Sequence, residues 1–418
     1  MRRKKMNFNP QEIKTPCFVV DESLLAKNLD ILSSVKQNTG CKILLALKCF
    51  SMFRVFPLLS QVLDGVCASS PHEARLGREE FKKEVHTFAA AYSEKDILDL
   101  CETTDHLVFN SFAQLRRFIP LVKKKAKELN REIEFAIRIN PEHSEGAIPI
   151  YDPCASGSRL GVKYSNFIKH ANSIHFIDSK KEPLDSVITG LHWHNLCEQD
   201  SDCLERTVKA VESKFAEFIP KMKYVNFGGG HHITRIGYNI KLLEKIINDF
   251  QQKWGVQVYL EPGEAVALNA GYFVATVLDI INDKPDIDIV IMDGCVPAHT
   301  PDVMEMPYRP NIVNSTNPDD LSTNTTELEE NSYKKEQYIY RIGGLSCLAG
   351  DVAGKYAFKE LLKVGDKLVF TDMAIYSMVK TNTFNGVQLP SIALIRKDDK
   401  KIEMVREFGY SDFKHRLS

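Results

Sequence analysis

The chain has 418 residues, 44% of them hydrophobic, enough for about two or three domains with buried cores, so disorder throughout is excluded. Fifty-four Lys and Arg against 55 Asp and Glu leave a formal charge of −1, so the chain as a whole carries no basic footprint for a nucleic-acid backbone or an anionic membrane. A small-molecule ligand is expected instead.

In chain order, Arg2-Arg3-Lys4-Lys5 leads into Met6–Pro10 rather than into an apolar stretch, so no signal-peptide core is expected. No apolar run reaches the roughly 18 residues of a membrane span. The ten cysteines form no CxxC pair and several lie in apolar runs, as buried free thiols do, which points to a reducing cytoplasm. Thr15 to Asp21 (TPCFVVD) reads as a strand. Eight further strands are predicted at Lys42–Leu47, Val62–Ala68, Val85–Ala90, His106–Asn110, Ile133–Ile139, Ser186–His194, Tyr224–Phe227 and Val256–Leu260. Helical spacing of apolar residues lies between them, as in Ala113–Asn130 and Ile240–Trp254. Eight β/α units argue for a closed (β/α)8 barrel, with an open doubly wound sheet as the competing arrangement.

After Glu261-Pro262-Gly263 the texture changes. Phe273–Leu278, Ile287–Met292, Glu336–Ile342, Lys367–Thr371 and Ser391–Arg396 read as strands with little helix between them, a second and mainly β domain. The expected division is a barrel over 22–264 and a mainly β domain built from 1–21 and 265–418, the chain ends meeting in one sheet. Residues 311–332, rich in Asn, Ser, Thr, Asp and Glu, read as a mobile surface insertion.

In such barrels the reactive groups sit at the C-terminal strand ends. Strand one leads into Lys48, where the apolar run LLAL would desolvate an amine and lower its pKa; alternatively the side chain snorkels to water. Strand five ends in Arg138. Strand six carries His192-Trp193-His194, whose alternation puts both imidazoles on one face: a stacking surface, a satisfied core pair, or, with Glu261 and His231 or His232, a zinc site. Gly228, Gly229 and Gly230 follow strand seven, either cradling an anion with backbone N–H groups or forming a plain turn. Glu261 ends strand eight, a costly buried charge unless partnered, for instance by a protonated pyridine nitrogen. A lysine able to form an imine, a glycine loop, an imidazole face and a buried carboxylate together describe a pyridoxal-phosphate site, with no metal.

The motifs ALKCF, CASSPHE, FAIRINP, SRLG, LHWHN, NFGGG, LEPGE, GGLSCLAGD and DMAIYS resemble those of the pyridoxal-phosphate decarboxylases with the alanine-racemase fold, the family of ornithine and diaminopimelate decarboxylases, over about Thr15 to Asn385. Within that family, GLHWHNLCE, EPGEA and SCLAGD are most similar to the bacterial polyamine-biosynthesis branch, whose substrates are carboxynorspermidine and carboxyspermidine. The resemblance implies that Lys48 holds the cofactor as an imine, His194 stacks on its ring, and Glu261 pairs with the ring nitrogen. Gly228, Gly229 and Gly230 with Tyr376 would hold the phosphate. Cys347 would protonate the carbon left after decarboxylation, reaching into the partner subunit of a homodimer with shared sites. Asp351 and Asp302 would meet the substrate, as would Glu264, which stands where many relatives carry the arginine of EPGR. Two acidic groups suit a cationic polyamine, whereas diaminopimelate would ask for an arginine. Cys197 stands where relatives often have serine. Diaminopimelate decarboxylase and a cofactor-holding barrel without turnover are the alternative readings.

Overall fold

The structure, a computed structural model, describes residues 6–146, 148–171, 174–177, 180–183, 187–282, 287–318 and 338–418. The chain forms two compact units, one of Lys27–Val266 and one of Met1–Ala26 with Ala267–Ser418.

In the first unit, eight parallel strands close into a barrel. In chain order they are Lys42–Ala46, Gly65–Ala68, Glu84–Phe88, His106–Phe109, Glu134–Arg138, Gly190–His192, Tyr224–Asn226 and Gln257–Leu260, the last pairing back onto the first. Their near-continuous apolar runs are what strands buried on both faces require. Leu44, Val108, Ala136, Tyr224 and Tyr259 converge in one buried cluster. Each strand falls on its predicted segment; Val62–Ala68 shortens to Gly65–Ala68, and Ser186–His194 to Gly190–His192. The two predicted helices are present as Phe112–Glu128 and Ile240–Trp254. The Ser111 hydroxyl accepts the Gln114 N–H at the start of the first, and the second ends at Gly255 with φ +68°. Leu243, Ile246, Ile247 and Phe250 recur at helical spacing and form the buried stripe of the second.

The second unit is a nine-stranded mixed sheet. Cys17–Asp21 lies between the antiparallel strand Gly271–Ile281 and the parallel strand Ser391–Ile395, so segments near both ends of the chain share one sheet. Gly271–Ile281 is long enough to pair on one stretch with Cys17–Asp21 and Lys367–Thr371 and on the next with Asp288–Met292. A register shift between Val277 and Asp279 marks a bulge. Three strands of this sheet escape the sequence prediction, one of them Ser315–Thr316 within the predicted insertion. Val352–Phe358 contains Gly354 at φ +138°, which breaks the alternation. Ile402–Arg406 lies at the sheet edge, with Met404 and Arg406 exposed and Glu403 and Arg406 diluting its apolar pattern. Of the predicted insertion 311–332, Ile312 is buried and Ser315–Thr316 pairs with Val352–Phe358, so its first part belongs to the sheet; 319–332 lies outside the described residues. No helix among the described residues is long and apolar enough to cross a membrane.

Candidate active site

The C-terminal mouth of the barrel collects most of the predicted residues. Glu261 follows strand Gln257–Leu260 and is 9% exposed. Its Oε1 accepts the Asn226 side-chain amide at 2.7 Å, and its Oε2 lies 3.2 Å from His192 Nε2. Burial pushes the carboxyl up, but His192, through charge and hydrogen bond, with His86 and the Asn226 amide, outweighs it and holds Glu261 well below the usual carboxylate range, so it is ionised at neutral pH. Burial in turn holds His192 below its ordinary value. The arrangement leaves a buried anion held by His192 and Asn226.

His194 follows strand Gly190–His192 and turns to the glycine loop, where the Gly229 N–H donates to its Nδ1 at 2.7 Å. Burial, with the Lys48 and Arg138 charges adding to it, holds His194 well below its ordinary value. A ring nitrogen that accepts an N–H carries no proton, so the donor and the electrostatics both keep this imidazole neutral. Between the two histidines, Trp193 points the other way, fully buried and stacked on Phe227 at 4.7 Å.

The glycines are more than a flexible turn. A Cβ on Gly229 would lie 2.5 Å from the Glu261 carbonyl and 3.0 Å from His194 Cε1, and one on Gly230, at φ +82°, would lie 2.0 Å from the Leu196 carbonyl. Only glycine lets this loop close against both neighbouring strand ends.

Lys48 sits two residues beyond strand Lys42–Ala46 in a turn, with Leu47, Cys49 and Phe50 buried while its own side chain is exposed. Its exposure matches the alternative reading, a side chain that reaches past the apolar run to water. Lys48 nevertheless belongs to the mouth, since its charge acts on His194 and Cys67. Glu264 opens the short helix Glu264–Ala267, its carboxylate 4.0 Å from His232 Nε2. Cys197 is exposed.

Sequence reasoning gave no role to Asn226 or Arg138. Arg138 is buried, donates from Nη2 to the His194 carbonyl at 2.8 Å and lies 4.5 Å over the Phe88 ring; burial pulls it down to about 10. The signal for Asn226 was present in the motif NFGGG, but its partner lies 35 residues away.

The HxH pair does not converge on a metal position, because His192 is turned to Glu261 and His194 to Gly229. Among the described residues, the group of three metal-ligand side chains is Glu84, His86 and His106, within 4.8 Å of one another. It lies at the strand beginnings, the opposite end of the barrel, and its carboxylate is already paired with Lys42 and accepts the Tyr259 hydroxyl at 3.0 Å.

The remaining predicted residues belong to the sheet unit. Cys347 is exposed, on the loop between strands Tyr338–Gly343 and Val352–Phe358. Tyr376 is half-buried with φ +53° and ψ −55°, a strained backbone for a residue with a side chain. Asp302 is buried; its Oδ2 accepts the Tyr308 hydroxyl at 2.6 Å and the Ser377 hydroxyl at 3.0 Å, while its Oδ1 has no donor. Asp351 is buried, and both its oxygens accept backbone N–H groups, from Val296 at 2.7 Å and Ser346 at 2.9 Å.

The barrel mouth therefore fits a flat ring with a cationic edge and an anionic arm: an ionised carboxylate, a neutral imidazole face, and a glycine cradle that a methyl group would fill. Comparisons agree with that chemistry. The family model of the pyridoxal-dependent decarboxylase, C-terminal sheet domain, matches residues 17–374. The chain is 39% identical over 404 residues to the carboxynorspermidine/carboxyspermidine decarboxylase of Campylobacter jejuni, covering 96% of this chain and 98% of that one. It is also 39% identical over 412 residues to the carboxyaminopropylagmatine decarboxylase of Synechocystis, covering 98% and 97%. The crystal structure of carboxynorspermidine decarboxylase complexed with norspermidine from Campylobacter jejuni superposes with a TM-score of 0.82 at 37% identity, covering 97% of this chain and 100% of that one. The reading as a barrel without turnover falls with these matches, and the chain belongs to the ornithine, diaminopimelate and arginine decarboxylase family of pyridoxal-phosphate-dependent enzymes.

Proposed function

We propose that the enzyme removes the carboxylate of carboxynorspermidine or carboxyspermidine, giving norspermidine or spermidine. The observation that carries this reading is Asp302, whose buried Oδ1 has no donor while Oδ2 is filled by Tyr308 and Ser377. A single carboxylate oxygen without a donor among the described residues suits the point charge of an ammonium. The Synechocystis relative favours a second reading, a substrate ending in a guanidinium. A guanidinium fork asks for two parallel acceptor oxygens, and Asp302 offers one. Glu264, in place of the arginine of many relatives, supplies a second acidic group for a polyamine.

Lys48 would hold the cofactor through its amine, with Gly228, Gly229 and Gly230 cradling its phosphate. When bound, pyridoxal phosphate supplies the electron sink for the pair released with carbon dioxide. Glu261 stays ionised and so favours a protonated ring nitrogen. His194, kept neutral by the Gly229 N–H, offers a flat uncharged face to the ring and adds no positive charge there. Cys347 Sγ gives its proton to the carbon that lost carbon dioxide, acting in the site of the partner subunit of a homodimer. The free cysteines support a cytoplasmic location.

Carbon dioxide release from carboxynorspermidine, carboxyspermidine, carboxyaminopropylagmatine and diaminopimelate tests the substrate. The expected kcat/KM is at least about tenfold higher on the first two, between which one methylene is worth only about 1–3 kcal/mol. A preference for either of the others overturns the reading. Mixing inactive Lys48→Ala chains with the slow Cys347→Ala chains under conditions that exchange subunits raises activity above that of either alone if sites are shared; a mixture no more active than its parts contradicts the shared site.

A further inference from the structure

The loop bearing Cys347 is folded around a charge. Asp351, 4% exposed, accepts the Val296 N–H on Oδ1 and the Ser346 N–H on Oδ2. Its carbonyl accepts the Gly344 N–H at 3.0 Å, and its own N–H donates to the Leu348 carbonyl at 2.9 Å. A Cβ on Gly344 would lie 2.4 Å from Oδ1 and 2.6 Å from Oδ2, so glycine there lets the loop close directly on the carboxylate. Its side-chain oxygens take these two backbone N–H groups, and the Cys295 thiol is also hydrogen-bonded to the carboxylate. From the far side, the Cys347 N–H donates to Asn385 Oδ1 at 3.1 Å, and Asn385 holds a left-handed backbone at φ +57°. Cys347 itself stays exposed between these two anchors.

A buried carboxylate is an expensive way to shape a connection between two strands. An amide in its place would turn an N–H toward one of the two N–H groups, so the negative charge is what the loop conformation depends on. We propose that Asp351 is a positioning residue for the Cys347 thiol: it clamps the backbone on both sides of that residue and thereby fixes where the thiol is presented. The proposal rests on the reading of Cys347 as the proton donor and deepens it. It also replaces the substrate contact expected from sequence, since neither side-chain oxygen is open to an amine.

The test is a double-mutant cycle on the cofactor-loaded full-length enzyme. Asp351→Asn is expected to lower kcat by about tenfold or more with KM unchanged within about twofold, and to change kcat by less than about twofold once Cys347→Ala is present, because residues acting through one group are not additive. Equal fold losses in both backgrounds overturn the proposal, as does a raised KM with kcat retained, the signature of a substrate contact. Asn385→Gly keeps the left-handed backbone and removes only the second anchor. It is expected to cost about two- to fivefold in kcat, again only when Cys347 is present; it decides the matter if Asp351→Asn fails to fold. Cys347→Ala retaining full kcat would instead sink the proton-donor reading, so the two failures are distinguishable.

Discussion

The two ends of the barrel each hold a carboxylate among histidines, and they neutralise it differently. At the strand beginnings Glu84 has Lys42 on one oxygen and the Tyr259 hydroxyl on the other, beside His86 and His106, whose rings stack at 3.9 Å. At the mouth Glu261 is more deeply buried, yet its donors are His192 and Asn226. Burying a charge without a cation costs several kcal/mol, about what breaking a buried pair costs. At the first end the carboxylate sits in an ion pair; at the second its two oxygens are taken by the His192 ring and the Asn226 amide, and the buried Arg138 acts on it without forming an ion pair among the described residues.

This contrast can be broken by substitution. Gly229→Ala, which adds a methyl 2.5 Å from the Glu261 carbonyl without requiring a left-handed backbone, should cost about 1–3 kcal/mol of overpacking. Read as cofactor affinity, that is a loss of about 5- to 150-fold, measurable by titrating apoenzyme with pyridoxal phosphate. Unchanged affinity would mean the cradle is not where the cofactor binds. Glu84→Gln, at the closed end, should lower stability by only about 1 kcal/mol in chemical denaturation and leave kcat/KM as it was.

Acid sharpens the same comparison. His106 is pushed down to about 2 by burial and by its neighbour His86, and His231 to about 4 by burial. Both are neutral when folded, so below about pH 6.5 the unfolded chain binds protons that the folded chain does not. Glu84 and Glu261 are each held down to about 2: burial raises both, but His86 and Lys42 outweigh it at Glu84, and His192 and Asn226 at Glu261. Their stabilisation is complete above about 4.5 and is lost as pH falls toward 2. Denaturation midpoints should therefore decline from about pH 6.5 downward and more steeply below about 4.5. His106→Gln should flatten the upper part of that decline; an unaltered profile would exclude His106 as a contributor.

The barrel was legible in sequence because parallel strands buried on both faces are short apolar runs, and Leu44, Val108 and Ala136 lie within three of them. Val352–Phe358 was not, because Gly354 and Lys355 interrupt its pattern while pairing with Tyr338–Gly343 supplies the order. At the site, Lys48, Gly229 and Glu261 could be found because their chemistry stands at predictable strand ends. The donors on Glu261 could not, since Asn226 and His192 reach it across 35 and 69 residues of chain. Asp351 shows the limit of a motif most clearly. The motif GGLSCLAGD marks an important carboxylate, but not that Val296, 55 residues earlier, already occupies one of its oxygens.

The claim on which the account turns is that Glu261 is kept as an anion for a cationic ring nitrogen. The direct measurement is turnover of Glu261→Gln carrying a full equivalent of pyridoxal phosphate. The account predicts cofactor retained and kcat reduced by about 10²–10³, the scale of removing one preorganised electrostatic group; near-normal turnover in the loaded variant would contradict it.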